Sequence, residues 1–234
     1  MRPLKVTAHL SEPIAGDVPM LDAVIERCMS VHRSVAQRLH LHHADPERAD
    51  YTPGLIPTPI VRRRVEGFPW PIPLCSSPIF RVSIDTHEHY ARRFDVEPEL
   101  IASAARRVYY TTMGEHKSHR LPLRVRAVDR VVWFCCAADA RGVKEIRGLL
   151  RKQVTHLGKK TSQGFGRVDQ WEIGDWPMDV SWFATLDGGR TVLMRPMPAH
   201  VVEGRSVVGY RKWYGGVVPP YWATPYFAEM VVPA

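Results

Sequence analysis

Long apolar runs are missing from this 234-residue chain. No stretch approaches the roughly 20 residues that a membrane-crossing helix needs, so a soluble protein with no membrane partner is expected. The N-terminus also lacks an export signal: Arg2 and Lys5 are followed at once by Thr7, His9, Ser11 and Glu12 instead of an apolar segment, which points to the cytoplasm. Cysteine is sparse. The four residues at 28, 75, 135 and 136 show no CxxC spacing, and bridging the vicinal pair would be strained, so buried thiols in a reducing compartment are expected. Internal repeats are absent, and the only biased tract is proline-rich. Acidic residues are the minority charge, 24 Asp and Glu against 32 Lys and Arg, and the resulting +8 favours a polyanionic partner. With 45% hydrophobic and 24% charged residues, the chain has the composition of an ordinary globular protein, long enough to bury a core without staples.

Periodicity divides the chain. Leu4, Val6, Ala8 and Leu10 alternate with Lys5, Thr7 and His9, predicting a strand with one buried face. Leu21, Val24, Ile25, Cys28, Val31, Val35 and Leu39 form one stripe at helical spacing, a helix of about five turns. From His40 to Phe80 the sequence is polar and rich in proline, with Arg62, Arg63 and Arg64 in its middle, and reads as a hairpin or excursion outside the core. A short strand is expected over 80–84, weak helical character over 99–109, and a mobile basic loop over 114–120. The run from Val125 to Cys136 is the most β-prone of the chain and reads as a central strand. Val143, Ile146, Leu149, Leu150, Val154 and Leu157 predict a second helix over 140–157 that ends at Gly158. Residues 167–173 alternate as a further strand, and Asp187-Gly188-Gly189 marks a hairpin.

The order strand, helix, strand, strand, helix, strand predicts an α+β fold. Its centre is a ferredoxin-like βαββαβ unit of the RNA-recognition type over 1–173. A long insertion is expected at about 42–124, and a β-rich C-terminal extension over 174–234.

Charge concentrates in one place. Residues 141–167 hold eight basic side chains and one acid, Glu145, which is nearly the whole excess. The second half of this segment is Gly158, Lys159, Lys160, Thr161, Ser162, Gln163, Gly164, Phe165, Gly166 and Arg167. Its glycines let a backbone approach a phosphodiester, and Lys, Thr, Ser and Gln surround them as donors. A nucleoside-triphosphate loop is excluded, because the required glycine and hydroxyl positions hold Gln153 and Lys160. A solvated turn is the alternative reading. The basic helix leading in and the strand leading out favour a phosphate cradle.

That segment, continued to Val168, resembles the C-terminal glycine-rich loop of the RAMP superfamily of CRISPR-associated proteins. The opening residues 6–16 and 19–23 resemble their first strand and helix. Together with the strand over 130–134 and the Pro219-Pro220-Tyr221-Trp222 cluster, the chain is most similar to the Cas-five-like subunit of type IV CRISPR effector complexes. The resemblance implies a non-catalytic subunit that grips the 5′ handle of a CRISPR RNA, without cofactor or metal. It would cap a filament of Cas-seven-like backbone subunits, beside a large or small effector subunit, with target DNA met through the complex. Gly158, Lys159, Lys160, Ser162, Gly164, Phe165 and Gly166 would touch RNA or shape the loop, and the insertion would correspond to the family's thumb. Lys117, His119, Arg120 and Arg124 are further candidates for handle contacts. Single-stranded RNA held in a bend needs such donors and cations, plus aromatic or guanidinium planes for its bases.

Two other functions fit the residues. His32, in the stripe of the first helix, is a candidate general acid-base for a metal-independent endoribonuclease that processes CRISPR precursor RNA; a satisfied core histidine is its bland counterpart. A generic RNA-binding protein is the third reading. Cys28 with His40, His42 and His43, the pair His87 and His89 around Glu88, and the pair His116 and His119 suggest metal, but no second pair at zinc spacing accompanies them and solvated histidines explain them. Tail aromatics read as core or subunit interface.

Overall fold

In the computed structural model, which describes residues 1–31, 58–92, 119–219, 221 and 227–233, the chain folds as a sheet-rich α+β protein with few helices. The order is β1 (Arg2–Leu10), β2 (Ile14–Ala15), α1 (Leu21–Val31), β3 (Arg62–Val65), β4 (Phe68–Pro73), β5 (Ile79–Phe80), β6 (Ile84–Arg92), β7 (His119–Ala127) and β8 (Arg130–Ala137). Then come α2 (Ala140–Gln153), a 3-10 turn (Thr161–Gln163), β9 (Val168–Asp175), β10 (Phe183–Thr185), β11 (Thr191–Leu193), β12 (Met197–Pro198), α3 (Ala199–Val202), β13 (Val207–Val208), β14 (Tyr210–Gly216) and β15 (Phe227–Pro233).

Alternation in β1 buries Leu4, Val6 and Ala8 and turns Lys5 and His9 away. β1 lies inside a four-stranded sheet of order β5-β8-β1-β9 in which every pairing is antiparallel. Val131, Trp133 and Cys135 of β8 and Trp171 and Ile173 of β9 continue the apolar face, which packs with Leu21 and Ile25 of α1 and Val143, Ile146 and Leu150 of α2. Each such aliphatic side chain removed from water contributes about 1.5–3 kcal/mol. Trp133 and Trp171 stack at 5.9 Å between ring centroids inside this core. β9 is an edge strand, and the basic face of α2 covers it: Arg147 donates to the Ile173 carbonyl (3.2 Å) and Arg151 to that of Trp171 (3.5 Å).

A second sheet, β2-β7-β6, is built on the long β6–β7 pairing from Ile84↔Ala127 to Arg92↔His119. β3 and β4 form a hairpin. The C-terminal part holds the sheets β10-β11-β13 and β12-β15-β14 around a second core of Ile72, Leu193, Met197, Val202, Val207, Val217, Val218, Met230 and Val231. The expected hairpin at Asp187-Gly188-Gly189 joins β10 to β11.

The structure corrects several expectations. The proline-rich segment does enter the core: Ile72, Leu74 and Cys75 are fully buried, Ile72 in the second core and Cys75 in the first, and the two-stranded β3–β4 hairpin tolerates Pro73 opposite Arg62. The strand expected over 80–84 is two strands, β5 and β6, in different sheets. His119 and Arg120, placed in a loop by the sequence, open β7, paired with Arg92 and Ala91. α2 ends at Gln153, short of the expected end at Leu157. There the buried Trp171 indole donates to the Val154 carbonyl (2.9 Å) and Leu157 N–H donates to Gly166 (2.8 Å), drawing the chain off the helix axis. α1 is described to Val31; its expected continuation and the helical character over 99–109 lie outside the described residues. No described helix is long and apolar enough to cross a membrane.

One buried element had no sequence signal. Arg195 is fully buried and donates to the carbonyls of Pro73 (2.7 Å), Cys75 (3.0 Å) and Val217 (3.0 Å), to the Tyr221 hydroxyl (2.9 Å) and to Asp22 (3.4 Å). Tyr221 in turn donates to Asp22 at 2.6 Å. The cluster ties α1 and the β4 exit to the C-terminal part, and burial pushes the Tyr221 hydroxyl well above its ordinary value.

Candidate nucleic-acid interface

The glycine-rich segment is a built turn. After α2, Val154–Leu157 run extended against the start of β9, with Val168 N–H donating to the Thr155 carbonyl (2.8 Å). Gly158 then adopts φ +86, and a side chain there would meet the Ala15 carbonyl oxygen at 2.6 Å and Ile14 at 2.7 Å. Lys159 N–H donates to Ala15 (2.7 Å) and Gly166 N–H to Pro13 (2.8 Å), so the loop is clamped onto the 13–16 turn from both ends. Lys160 is left-handed at φ 57, the one non-glycine residue at positive φ among the described residues. The 3-10 turn follows, closed by Gly164 at φ 93, whose N–H donates to Thr161 (3.1 Å). Gly166 is buried, and a Cβ there would stand 1.9 Å from the Leu157 oxygen.

This clamp decides where the side chains point. The Lys159 stem lies over Gly16, where a methyl group would meet its Cδ at 2.9 Å, while the residue as a whole is exposed. Among the described residues no salt bridge reaches Lys159. Thr161, Ser162, Gln163 and Gly164 are exposed, Lys160 and Phe165 half-buried, and Arg167 exposed at 3.6 Å from Asp169. Lys159, Thr161, Ser162, Gln163, Gly164 and Arg167 therefore form one outward-facing turn, held on Gly158 and the buried Gly166.

The turn's seat is rigid. β2 pairs with β7 on one side (Ile14↔Arg126, Ala15↔Val125) and bridges to the loop on the other (Ala15↔Lys159). Arg126, buried in spite of its charge, donates to the Gly16 carbonyl (2.6 Å) and to Asp17 (3.2 Å), with its guanidinium 5.4 Å from the Phe80 ring centroid. Nothing in the sequence singles out Arg126, since an alternating basic strand looks solvated. Between this seat, α1 and the loop opens a cleft of about 730 Å³. Arg27, Thr155, His156, Lys159 and Thr161 line it together with apolar Val24 and Leu157, and among the described residues Asp17, already engaged by Arg126, is its one carboxylate. Such a lining suits phosphate oxygens and a base edge.

Other predicted residues lie elsewhere. Arg124 is on β7 and its carbonyl accepts from Gly16 N–H (2.8 Å), which brings it to the same seat, but its guanidinium makes a bidentate pair with Asp85 across the β6–β7 hairpin. That hydrogen bonding holds the Asp85 carboxyl below its usual range. His119 and Arg120 begin β7, and Lys117 and His32 lie outside the described residues. Cys28 is buried against the cleft, and His40, His42, His43 and His116 are outside the described residues. Among the described residues no three metal-ligating side chains gather.

In a comparison with known families, the family model of the CRISPR type IV associated protein Csf3 aligns with residues 90–233. This span contains β7, β8, α2, the glycine-rich turn and the C-terminal part. No curated protein matches the chain.

Proposed function

The chain belongs to the family of the CRISPR type IV associated protein Csf3, and from that membership and the loop geometry we propose that it is a non-catalytic, RNA-gripping subunit of a type IV CRISPR effector complex. Within that reading it is a Cas-five-like RAMP protein. The fully antiparallel order β9-β1-β8-β5, with α1 and α2 on one apolar face, supports a ferredoxin-like unit in which β5 is the shortened second strand. The β6–β7 hairpin then stands where the thumb would be. The observation that carries the proposal is the clamp itself: Gly158 and Gly166 seat the loop on the 13–16 turn so that Lys159, Thr161, Ser162, Gln163 and Arg167 are exposed, with the half-buried Lys160 among them, beside an open cleft.

Chemically, this arrangement binds and does not turn over. Ammonium and guanidinium groups meet phosphodiester oxygens, hydroxyls and the Gln163 amide meet sugar and base edges, and the half-buried Phe165 gives a short apolar ledge. The guide's 5′ handle is the ligand in this reading, with Cas-seven-like backbone subunits and a large or small effector subunit as protein partners. Incubation of the purified chain with single-stranded repeat RNA tests it: the handle is bound and recovered intact. A product ending in a 2′,3′-cyclic phosphate, lost in His32→Ala, contradicts the non-catalytic assignment.

A further inference from the structure

Three aromatic side chains stand well out of the protein among the described residues, and all three lie on one strand: Tyr210, Trp213 and Tyr214 of β14, 43%, 57% and 68% exposed. Between them sit Arg211 and Lys212, also exposed. β14 pairs with β15 along one edge and carries no described strand on the other. Successive residues of a strand point to opposite faces, so both faces of this ribbon present an aromatic and a cation. Tyr210, Lys212 and Tyr214 share one face. Arg211 and Trp213 share the other, with the guanidinium 5.6 Å from the indole centroid. The strand is held firmly at its far end, where Gly215 and Gly216 are buried and a Cβ on Gly216 would meet the Tyr221 backbone at 2.4 Å.

We propose that β14 is a second contact surface of this chain, for single-stranded RNA, with bases stacking on Tyr210, Trp213 and Tyr214 and phosphates meeting Arg211 and Lys212. The charge selects this occupant. In a chain of net charge +8, alternating exposed rings and cations match the alternating bases and phosphates of a single strand. Among the described residues no carboxylate pairs with Arg211. Lys212 reaches Glu229 at 3.7 Å, but both side chains are largely exposed, and a pair so hydrated gives way to a phosphate. A duplex is excluded, because its bases are already stacked on each other. The tail aromatics, expected from the sequence to be core or subunit interface, divide: Trp182 and Phe183 pack against the second core, whereas the β14 rings stay exposed, Tyr214 meeting the half-buried Phe227 edge-on at 5.9 Å.

The proposal rests on the reading of the chain as RNA-binding, and the test separates the two. Fluorescence anisotropy with a labelled single-stranded repeat RNA is measured across a salt series for the full chain, for Trp213→Ala with Tyr214→Ala, and for Lys159→Ala with Lys160→Ala. The aromatic variant is expected to bind about ten-fold more weakly or worse at every salt concentration with its salt slope unchanged, since stacking displaces no counterions. Trp213→Phe with Tyr214→Phe keeps the rings and restores affinity, which sets a folding defect apart. Ultraviolet crosslinking of the wild-type complex is expected to mark the peptide carrying Trp213 and Tyr214. Unchanged affinity in the alanine variant with no adduct on that peptide overturns the proposal and assigns the face to a protein partner. Loss of affinity in the aromatic variant with none in the lysine variant upholds this surface and removes the glycine-loop reading instead.

Discussion

Gly166 and Gly164 stand two residues apart, both at positive φ, yet their surroundings differ completely. A methyl group at 166 would sit 1.9 Å from the Leu157 oxygen, whereas at 164 it meets nothing within 4 Å. Gly164→Ala therefore carries only the left-handed backbone cost, about 1–2 kcal/mol, and leaves RNA affinity close to wild type. Gly166→Ala has to open the clamp, so a larger fall in thermal midpoint is expected, together with loss of RNA binding. Equal behaviour of the two in melting and anisotropy experiments contradicts the clamp. The thiols give a second prediction of this kind. Burial pushes all four upward, Cys136 to about 12, where Asp179 adds to the effect. Native protein at about pH 8 should resist alkylation and label fully only after denaturation, as mass spectrometry would read. A folded-state value above the unfolded one gives stability that is complete below the unfolded value and is lost as pH rises toward the folded one. The thiols and Tyr221 share this sign, so the thermal midpoint should fall as pH is raised from about 8 to beyond 9.

Among the elements, α2 has a defined start and a displaced end. Asp139 accepts from Gly142 N–H at 2.8 Å, and Asp139→Ala should cost about 1 kcal/mol, a drop of roughly 2–4 °C in a chain of this size by differential scanning calorimetry. The period-2 pattern of β1 and β9 and the apolar stripe of α2 were legible because each is set by one buried face in the local sequence. The end of α2 was not, since it is set by the Trp171 indole and by Gly166, both outside the helix. The burial of β4 was not legible either. Proline signals where a ladder hydrogen bond is missing, but not that Ile72 meets a core assembled from residues far along the chain, from Leu193 to Val231. The candidate loop was readable as a glycine-and-lysine cluster, whereas its seat was hidden: Arg126 has the sequence context of a solvated strand cation and becomes buried only because Gly16, Asp17 and Phe80 converge on it.

Across the whole molecule, the Arg195–Asp22–Tyr221 cluster joins the four-stranded unit to the C-terminal part, and no pattern in the sequence connects residues 22, 195 and 221. Arg195→Met leaves Asp22 buried without its cation, and breaking such a pair costs about 3–5 kcal/mol. Limited proteolysis should then cut the C-terminal part first; uniform resistance would show that the cluster is not the joint. The net charge of +8 was visible from composition, but its use was not. Arg147 and Arg151 cover β9, Arg124 is taken up by Asp85, and outward-facing cations gather at the glycine-rich turn and on β14. If Lys159 and Lys160 grip phosphates, the salt dependence of RNA affinity must report it. Plotted as log K against log salt concentration, Lys159→Ala with Lys160→Ala should flatten the slope by about 0.7 for each phosphate no longer neutralised, roughly 1.4 for both. A double variant with the wild-type slope would mean that these ammonium groups displace no counterions, and the clamped turn would not be the grip on RNA.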